Sequence, residues 1–340
     1  MKILITGGAG FIGGALIRNL LLTCQDKVFN VDKLTYASDL ESINRIKAST
    51  NKERYEFINI DLYDFEKTKE IIECIKPDKI IHLAAESHVD RSISSPRIFM
   101  NSNIIGTFNL LEAARLYWDK FDNEKFIFHH VSTDEVFGTL GPCEEERFNE
   151  NSRYDPRSPY SASKASSDHL VRSYFHTYGL PTIITNCSNN FGPWQYPEKL
   201  IPVVILKAIN NQPIPLYGDG KNIRDWLYVE DHIEAMKTLW NSGRIGETYC
   251  IGGESERNNI SIVEFICERL DEKLKKKDFH KKLITYVQDR PGHDQRYAID
   301  PHKIKNELNW EAKYDFEKGM DITIDWYLKN IKWCAKCLSK

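Results

Sequence analysis

Short apolar runs, separated by stretches of helical period, set the rhythm of the first half of the chain. The runs at 3–6, 28–32, 56–61, 79–84, 126–132 and 182–186 have the length of strands, and the stretches at 98–117 and 162–178 are amphipathic helices. Lys79-Ile80-Ile81-His82-Leu83-Ala84-Ala85 is almost uninterrupted in apolar character, as expected of a strand covered by helices on both faces. The alternation predicts an α/β fold on a doubly wound parallel sheet. Beyond Pro181 the rhythm fades; prolines gather at Pro193, Pro197, Pro202, Pro213 and Pro215, and the elements shorten. The pattern predicts a domain over 1–180 and a smaller, interleaved C-terminal lobe over 181–340. That lobe returns in part to the sheet and otherwise closes a cleft over the carboxyl ends of its strands.

Composition narrows the function classes. With 340 residues, 41% hydrophobic and 28% charged, and a formal net charge of -3, the chain reads as an ordinary globular protein with ample core. Its basic residues are dispersed, which argues against a nucleic-acid partner, and the lysine-rich stretch 273–282 reads as a solvated helix end or loop. No segment has the apolar length of a membrane span, and the opening Met1-Lys2-Ile3-Leu4-Ile5-Thr6 reads as a first strand rather than a signal peptide. The eight cysteines form no disulfide framework, and Cys334-Ala335-Lys336-Cys337 is a lone C-x-x-C without a second pair. A cytoplasmic protein with reduced thiols is expected.

Gly7, Gly10 and Gly13 sit between the first strand and a helix, with Asp32 at the end of the next strand. Glycines at this spacing allow a tight turn and close backbone approach, and the helix N-terminus favours a pyrophosphate. The arrangement predicts a Rossmann-type dinucleotide site. Asp32 is expected to hydrogen-bond the adenosine ribose and to repel a 2′-phosphate, which selects NAD. Lys33 beside it is the ambiguous neighbour, since a lysine can partner a phosphate. Asp61 and Leu62, at the end of the third strand, are expected at the adenine edge.

Tyr160 and Lys164 lie four apart and share one face of a helix. A phenol titrates near ~10, so a lysine ammonium and a cationic nicotinamide nearby are expected to favour the phenolate as a base. Ser132 or Thr133, with Thr133 preferred, is expected to bond the same substrate oxygen. Asp134 and Glu135 follow. A plain oxidation needs one base. Two adjacent carboxyls suit an oxidation coupled to loss of water, where one takes a proton from carbon and the other gives one to a departing hydroxyl.

The segments Ser132-Thr133-Asp134-Glu135-Val136 and Tyr160-Ser161-Ala162-Ser163-Lys164 resemble those of the extended short-chain dehydrogenase/reductases, and more narrowly the nucleotide-sugar 4,6-dehydratases. Further matching blocks run from Asp32-Lys33-Leu34-Thr35-Tyr36-Ala37 to Asp289-Arg290-Pro291-Gly292-His293-Asp294. The resemblance implies a lyase acting on dTDP-glucose: Tyr160 deprotonates the C4 hydroxyl as hydride passes to NAD, Glu135 takes the C5 proton, Asp134 protonates the departing C6 hydroxyl, and hydride returns to C6. It also places Phe11, Ile12, Thr35, Ala84 and Cys187 at the cofactor. Ser87, His88, Asn189, Lys199, Leu200, Pro215, Tyr217 and Arg224 fall to the substrate, completed by Asn259, Arg290, His293 and Tyr297. No metal is implied, and helices 98–117 and 162–178 are expected to pair in a homodimer.

Two positions depart from the family pattern: Phe137 stands where tyrosine is usual, and Gly14 where serine is common. The competing readings are a UDP-glucose 4,6-dehydratase, an epimerase without need of Asp134-Glu135, a GDP-mannose enzyme using NADP, and a catalytically inert NAD-binding module.

Overall fold

The structure, a computed structural model, describes residues 1–47, 50, 52–121, 123–141, 143, 145–277 and 279–338. Asp278 of the lysine-rich stretch and residues 339–340 of the second lobe therefore lie outside the described residues. Twelve strands occur among those described: β1 (Lys2–Thr6), β2 (Lys27–Asp32), β3 (Tyr55–Asn59), β4 (Lys79–His82), β5 (Ile127–Thr133), β6 (Thr182–Cys187), β7 (Asn189–Phe191), β8 (Ile214–Tyr217), β9 (Ile223–Tyr228), β10 (Thr248–Ile251), β11 (Glu256–Asn258) and β12 (Ile284–Val287).

Seven of them form one parallel sheet in the order β10-β6-β5-β4-β1-β2-β3. Alternation along each strand supplies two apolar faces. Ile3, Ile5 and Ile81 pack with Ile17, Ile233 and Met236 of helices Phe11–Thr23 and Val229–Ser242. Leu4, Ile80 and Phe128 face Ile72, Leu110 and Val171 of helices Phe65–Ile75, Gly106–Phe121 and Pro159–Tyr178. The order of strand addition reverses between β1 and β4, and the crevice at the carboxyl ends of a doubly wound sheet opens there.

The expected strands are present with shifted ends. β3 stops at Asn59, so Asp61 lies in the following loop, and β4 stops at His82, where the chain turns toward the cleft. The helix expected over 98–117 is built of Pro96–Phe99, a π-helical turn over Met100–Ile105, and Gly106–Phe121. The π turn presents Asn103, which clasps the Glu86 backbone (Oδ1 accepting at 2.8 Å, Nδ2 donating at 3.0 Å) and donates to Ser163 Oγ at 2.9 Å. From the second half, helix Val229–Ser242 and β10 return to the sheet. A three-stranded sheet (β11-β9-β7) and the pair β12-β8 gather over its carboxyl edge, with helices Leu200–Ile209, Asn259–Lys273, Phe316–Lys329 and Ile331–Leu338 around their own apolar core.

One buried carboxylate locks the helix carrying Tyr160 to the sheet. Asp168, fully buried, accepts from Ser132 Oγ (2.9 Å), Tyr154 Oη (2.8 Å) and Asn186 Nδ2 (3.2 Å), and lies 3.1 Å from His130 Nε2. Burial alone would raise its pKa, but His130, Lys164 and Ser132 outweigh burial and hold it below the ordinary aspartate value. A depressed carboxyl stabilises the fold above its unfolded pKa of about 3.9 and loses that contribution as pH falls. Asp168→Ala leaves three buried partners and the half-buried Tyr154 facing a void and is expected to lower unfolding stability by about 3–5 kcal/mol at neutral pH, read by urea denaturation.

Candidate active site

All the residues expected at cofactor, substrate and reaction line a single cleft of about 670 Å³ above the carboxyl ends of β1, β4, β5 and β6. Its cofactor wall begins at the glycine loop. Gly7 has φ +72°, and a Cβ there would sit 2.6 Å from the backbone nitrogen of Ala84; a Cβ on Gly13 would sit 2.4 Å from the Gly7 carbonyl oxygen. Only glycine lets the turn close this tightly. Helix Phe11–Thr23 starts at Gly10 with no side-chain cap and no acidic residue in its first turn, so its N-terminal N–H groups are left for an anion. At Gly14 an added Cβ meets Arg18 Nη1 and Ser42 Oγ only at 3.4 Å, and a serine would fit there with a small shift.

Asp32 is buried, with Oδ2 accepting from Ala9 N–H at 3.0 Å and Oδ1 from Leu34 N–H at 2.8 Å. Burial raises its pKa, and these bonds act against the rise. The neighbouring Lys33 is occupied by carboxylates, 3.6 Å from Asp61 and 3.8 Å from Glu86, instead of standing ready for a 2′-phosphate. The cradle, the uncapped helix end and the acidic ribose position together fit NAD.

The catalytic wall is the end of β5 and the helix Pro159–Tyr178. Ser158 caps that helix reciprocally with Ser161, which fixes where Tyr160 leaves the first turn. Lys164 donates from Nζ to the Val131 carbonyl at 2.9 Å. Tyr160 is buried, and burial, Glu135, Cys187 and Asp134 all push its phenol well above its ordinary value, opposed by a hydrogen bond with Thr133. A phenolate at this position therefore depends on the cationic nicotinamide as well as on Lys164, whose Nζ is held against the strand.

Asp134 and Glu135 occupy a 3-10 turn that opens directly from β5, with Thr133 capping it through the Glu135 N–H at 3.3 Å. Their surroundings differ. Asp134 is raised well above the usual carboxyl range by burial, then by Glu135 and Asp225, against Arg224 and a hydrogen bond from Thr133. Its Oδ2 is buried without a partner among the described residues, which suits a carboxylic acid better than a carboxylate. Burial raises Glu135 too, but Arg290, Arg224 and Lys199 all pull it down. These surroundings favour a shared proton on Asp134 over Glu135.

The substrate wall comes from the second half of the chain and the loop after β4. Arg224 is buried, stacks 4.2 Å over Tyr297, and spends Nη1 and Nη2 on the Ile223 and Asp294 carbonyls at 2.7 and 2.9 Å. Lys199 donates to the Ser87 carbonyl at 2.9 Å, Arg290 lies 3.7 Å from Asp90, and His293 pairs with Asp289 at 2.6 Å. Tyr217 meets His293 edge to face. His88 Nδ1, Asn189 Oδ1, Trp226 Nε1 and Arg290 Nε are buried without partners among the described residues, the pattern of groups reserved for a ligand.

Sequence reasoning missed Glu86, Asp90, Glu198 and Trp226, which also line the cleft. Glu198 was within reach, since it sits between Pro197 and Lys199 in a matching block; Glu86 owes its place to the Asn103 clasp, which no local pattern announces. Phe137 is not a cleft residue. It stacks on Phe148 at 5.2 Å and packs edge-on to Tyr154 inside an apolar cluster, so the missing hydroxyl is replaced by packing.

The raised Asp134 makes a testable sign. A carboxyl whose folded pKa exceeds its unfolded value stabilises the protonated fold and loses that contribution as pH rises from about 4 toward the folded pKa. Asp134→Asn, which mimics the protonated acid, is expected to gain stability over the parent by up to ~1.4 kcal/mol per pH unit across that window, read from unfolding curves against pH.

Known proteins place this geometry. The family model described as GDP-mannose 4,6 dehydratase matches residues 4–323. The dTDP-glucose 4,6-dehydratase of Salmonella typhimurium is 54% identical over 98% of this chain and 94% of its own. Among solved structures, dTDP-glucose 4,6-dehydratase from Bacillus anthracis in complex with NAD superposes with a TM-score of 0.87 at 42% identity, covering 99% of both chains. DesIV, the dTDP-glucose 4,6-dehydratase of Streptomyces venezuelae with NAD and TYD bound, gives a TM-score of 0.90 at 37% identity over 99% of this chain and 100% of that one. With its cleft built around Asp134, Glu135, Tyr160 and Lys164 and its likeness running nearly end to end, the chain belongs to the nucleotide-sugar 4,6-dehydratases of the extended short-chain dehydrogenase/reductase superfamily.

Proposed function

We propose that the chain is a hydro-lyase that converts dTDP-glucose to its 4-keto-6-deoxy product with NAD retained through the cycle. The observation that carries this reading is the unequal environment of Asp134 and Glu135 beside a buried Tyr160. Bound NAD supplies the acceptor for hydride leaving C4 and the donor for its return to C6. Gly7, Gly10 and Gly13 admit its pyrophosphate, Asp32 and Thr35 its ribose, and Asp61 and Leu62 its adenine edge.

Tyr160 takes the proton of the C4 hydroxyl, with Thr133 bonded to the same oxygen. The 4-keto group then makes the C5 proton acidic. Glu135, held toward its ionised form by Arg290, Arg224 and Lys199, removes that proton. Asp134, held protonated, gives its proton to the C6 hydroxyl as it leaves as water. As hydride returns to C6 a proton from the site is restored to C5, so that, net, hydrogen moves from C4 to C6 and one water departs. Arg224 and Arg290 balance the substrate's pyrophosphate, and Pro215 and Tyr217 border its base. Residues 1–180 hold mainly the cofactor and 181–340 mainly the nucleotide sugar. Exposed Ile98, Ile105, Phe108 and Tyr178, on the helical segments over 96–121 and 159–178, support a homodimer. No helix among the described residues is long and apolar enough to cross a membrane, and reduced, dispersed cysteines accord with a cytoplasmic enzyme.

Purified protein given dTDP-glucose and UDP-glucose in parallel is expected to form the 4-keto sugar, read by its absorbance in alkali, from dTDP-glucose. Formation from UDP-glucose alone would overturn the substrate, and no product from either, with NAD supplied, would overturn the reaction. Glu135→Gln is expected to slow turnover roughly 10²–10⁴-fold and to abolish incorporation of solvent deuterium at C5.

A further inference from the structure

The segment Cys334-Ala335-Lys336-Cys337 has no part in this chemistry. Both thiols are buried at 1% exposure in the apolar core of the second half, and no group of His, Cys, Asp and Glu able to hold a metal occurs among the described residues. What the segment does is anchor helix Ile331–Leu338 and with it Trp333, which is 3% exposed. The Trp333 indole Nε1 donates to Asp39 Oδ2 at 2.9 Å, across 294 positions of sequence.

Asp39 is one link in a run of hydrogen bonds that ends on the cofactor cradle. Its backbone N–H donates to the Ala9 carbonyl of the glycine loop at 2.8 Å, and Ala9 N–H donates to Asp32 Oδ2 at 3.0 Å. Next to Asp39, Ser38 donates from Oγ to Asp32 Oδ1 at 3.2 Å. The loop 33–39 thus holds Oδ1 of Asp32 directly and reaches Oδ2 through Ala9, and its Lys33, Thr35, Ala37 and Ser38 line the cleft. Further contacts pull the same helix onto this region. Arg45 donates to Asn330 Oδ1 at 2.9 Å, Lys336 pairs with Glu41 at 3.1 Å, and Tyr196, itself a cleft residue, donates to the Cys337 carbonyl at 3.0 Å. Trp194 packs edge to face on Trp333 at 5.2 Å, beneath the Arg45 guanidinium at 4.7 Å.

We propose that Trp333 is a positioning residue for the cofactor: helix Ile331–Leu338 latches the loop 33–39 over the adenosine end of the cleft and so sets how tightly NAD is held. The inference rests on the NAD reading above. A surface loop tied at both ends to a packed core opens less readily than one held by its own turns, and a loop already ordered loses less freedom when a ligand binds. A hydrogen bond to a charged group is the kind whose loss a binding constant registers.

The test is a double-mutant cycle on NAD affinity, read by equilibrium dialysis of apoprotein with NAD. Trp333→Phe keeps the packing and removes the donor; Asp39→Ala removes the acceptor. Each is expected to weaken NAD binding about tenfold, the size expected when one charge-assisted bond is lost. The double variant is expected to lose no more than Asp39→Ala alone, which also removes the Glu41 N–H bond to the same oxygen at 3.2 Å. The change is expected in the NAD concentration at half-maximal rate and not in kcat at saturating NAD. Affinity unchanged in Trp333→Phe, or losses that add in the double variant, would overturn the latch. A parent protein that binds no NAD would instead overturn the reading on which it rests.

Discussion

Two neighbouring carboxyls at the mouth of one strand, one buried and one half-buried, are the constraint around which this molecule is organised. β5 delivers Thr133 as its last residue, and the 3-10 turn after it buries Asp134 and leaves Glu135 half-buried, both facing the cleft. Two like charges so close disfavour one another, which favours a pair holding one proton between them. Arg224 bears on both, but Arg290 and Lys199 add their pull on Glu135 while Glu135 and Asp225 push Asp134 up, an imbalance that favours the proton on Asp134. Much of the second half of the chain can be read as the means of bringing those cations in: Arg224 on β9, Arg290 after β12, and Lys199 at the start of helix Leu200–Ile209.

Holding that pair beside Tyr160 demands that the strand and the catalytic helix do not slide. Asp168 supplies the lock, two helical turns beyond Tyr160, by accepting from Ser132 on β5 and Asn186 on β6. Asn186 also donates to the Thr133 carbonyl at 3.1 Å, so the strand end is fixed from both neighbours. The cofactor loop is tied in the same manner from the far end of the chain, through Trp333 and Asp39. A cleft between two halves of a chain is rigid when each half is pinned by residues of the other.

Much of this was legible before the structure. The glycine loop, Asp32, the Tyr160–Lys164 pair and the two carboxyls are local patterns, and local patterns carry the sheet and the cofactor wall because βα units are local. The substrate residues came from resemblance, and all of them lie in the cleft, since Arg224, Arg290 and Tyr297 meet there only through tertiary folding. What could not be read was long-range: the clasp of Asn103 on Glu86, the seat of Lys164 on Val131, the proton's preference for Asp134, and the docking of Trp333. Each depends on a partner tens to hundreds of positions away, or on burial that only the assembled fold creates. Phe137 marks the same boundary, because its packing on Phe148 and Tyr154 is invisible along the chain.

The central claim is that Asp134 is an acid and Glu135 an anion at the same neutral pH. Infrared spectroscopy of the holoenzyme at pH 7, recorded for the parent, Asp134→Asn and Glu135→Gln, tests it most directly. The account predicts a protonated-carboxyl band in the parent that is retained in Glu135→Gln and lost in Asp134→Asn. A band that disappears with Glu135 instead, or a parent in which both carboxyls are ionised, would contradict it.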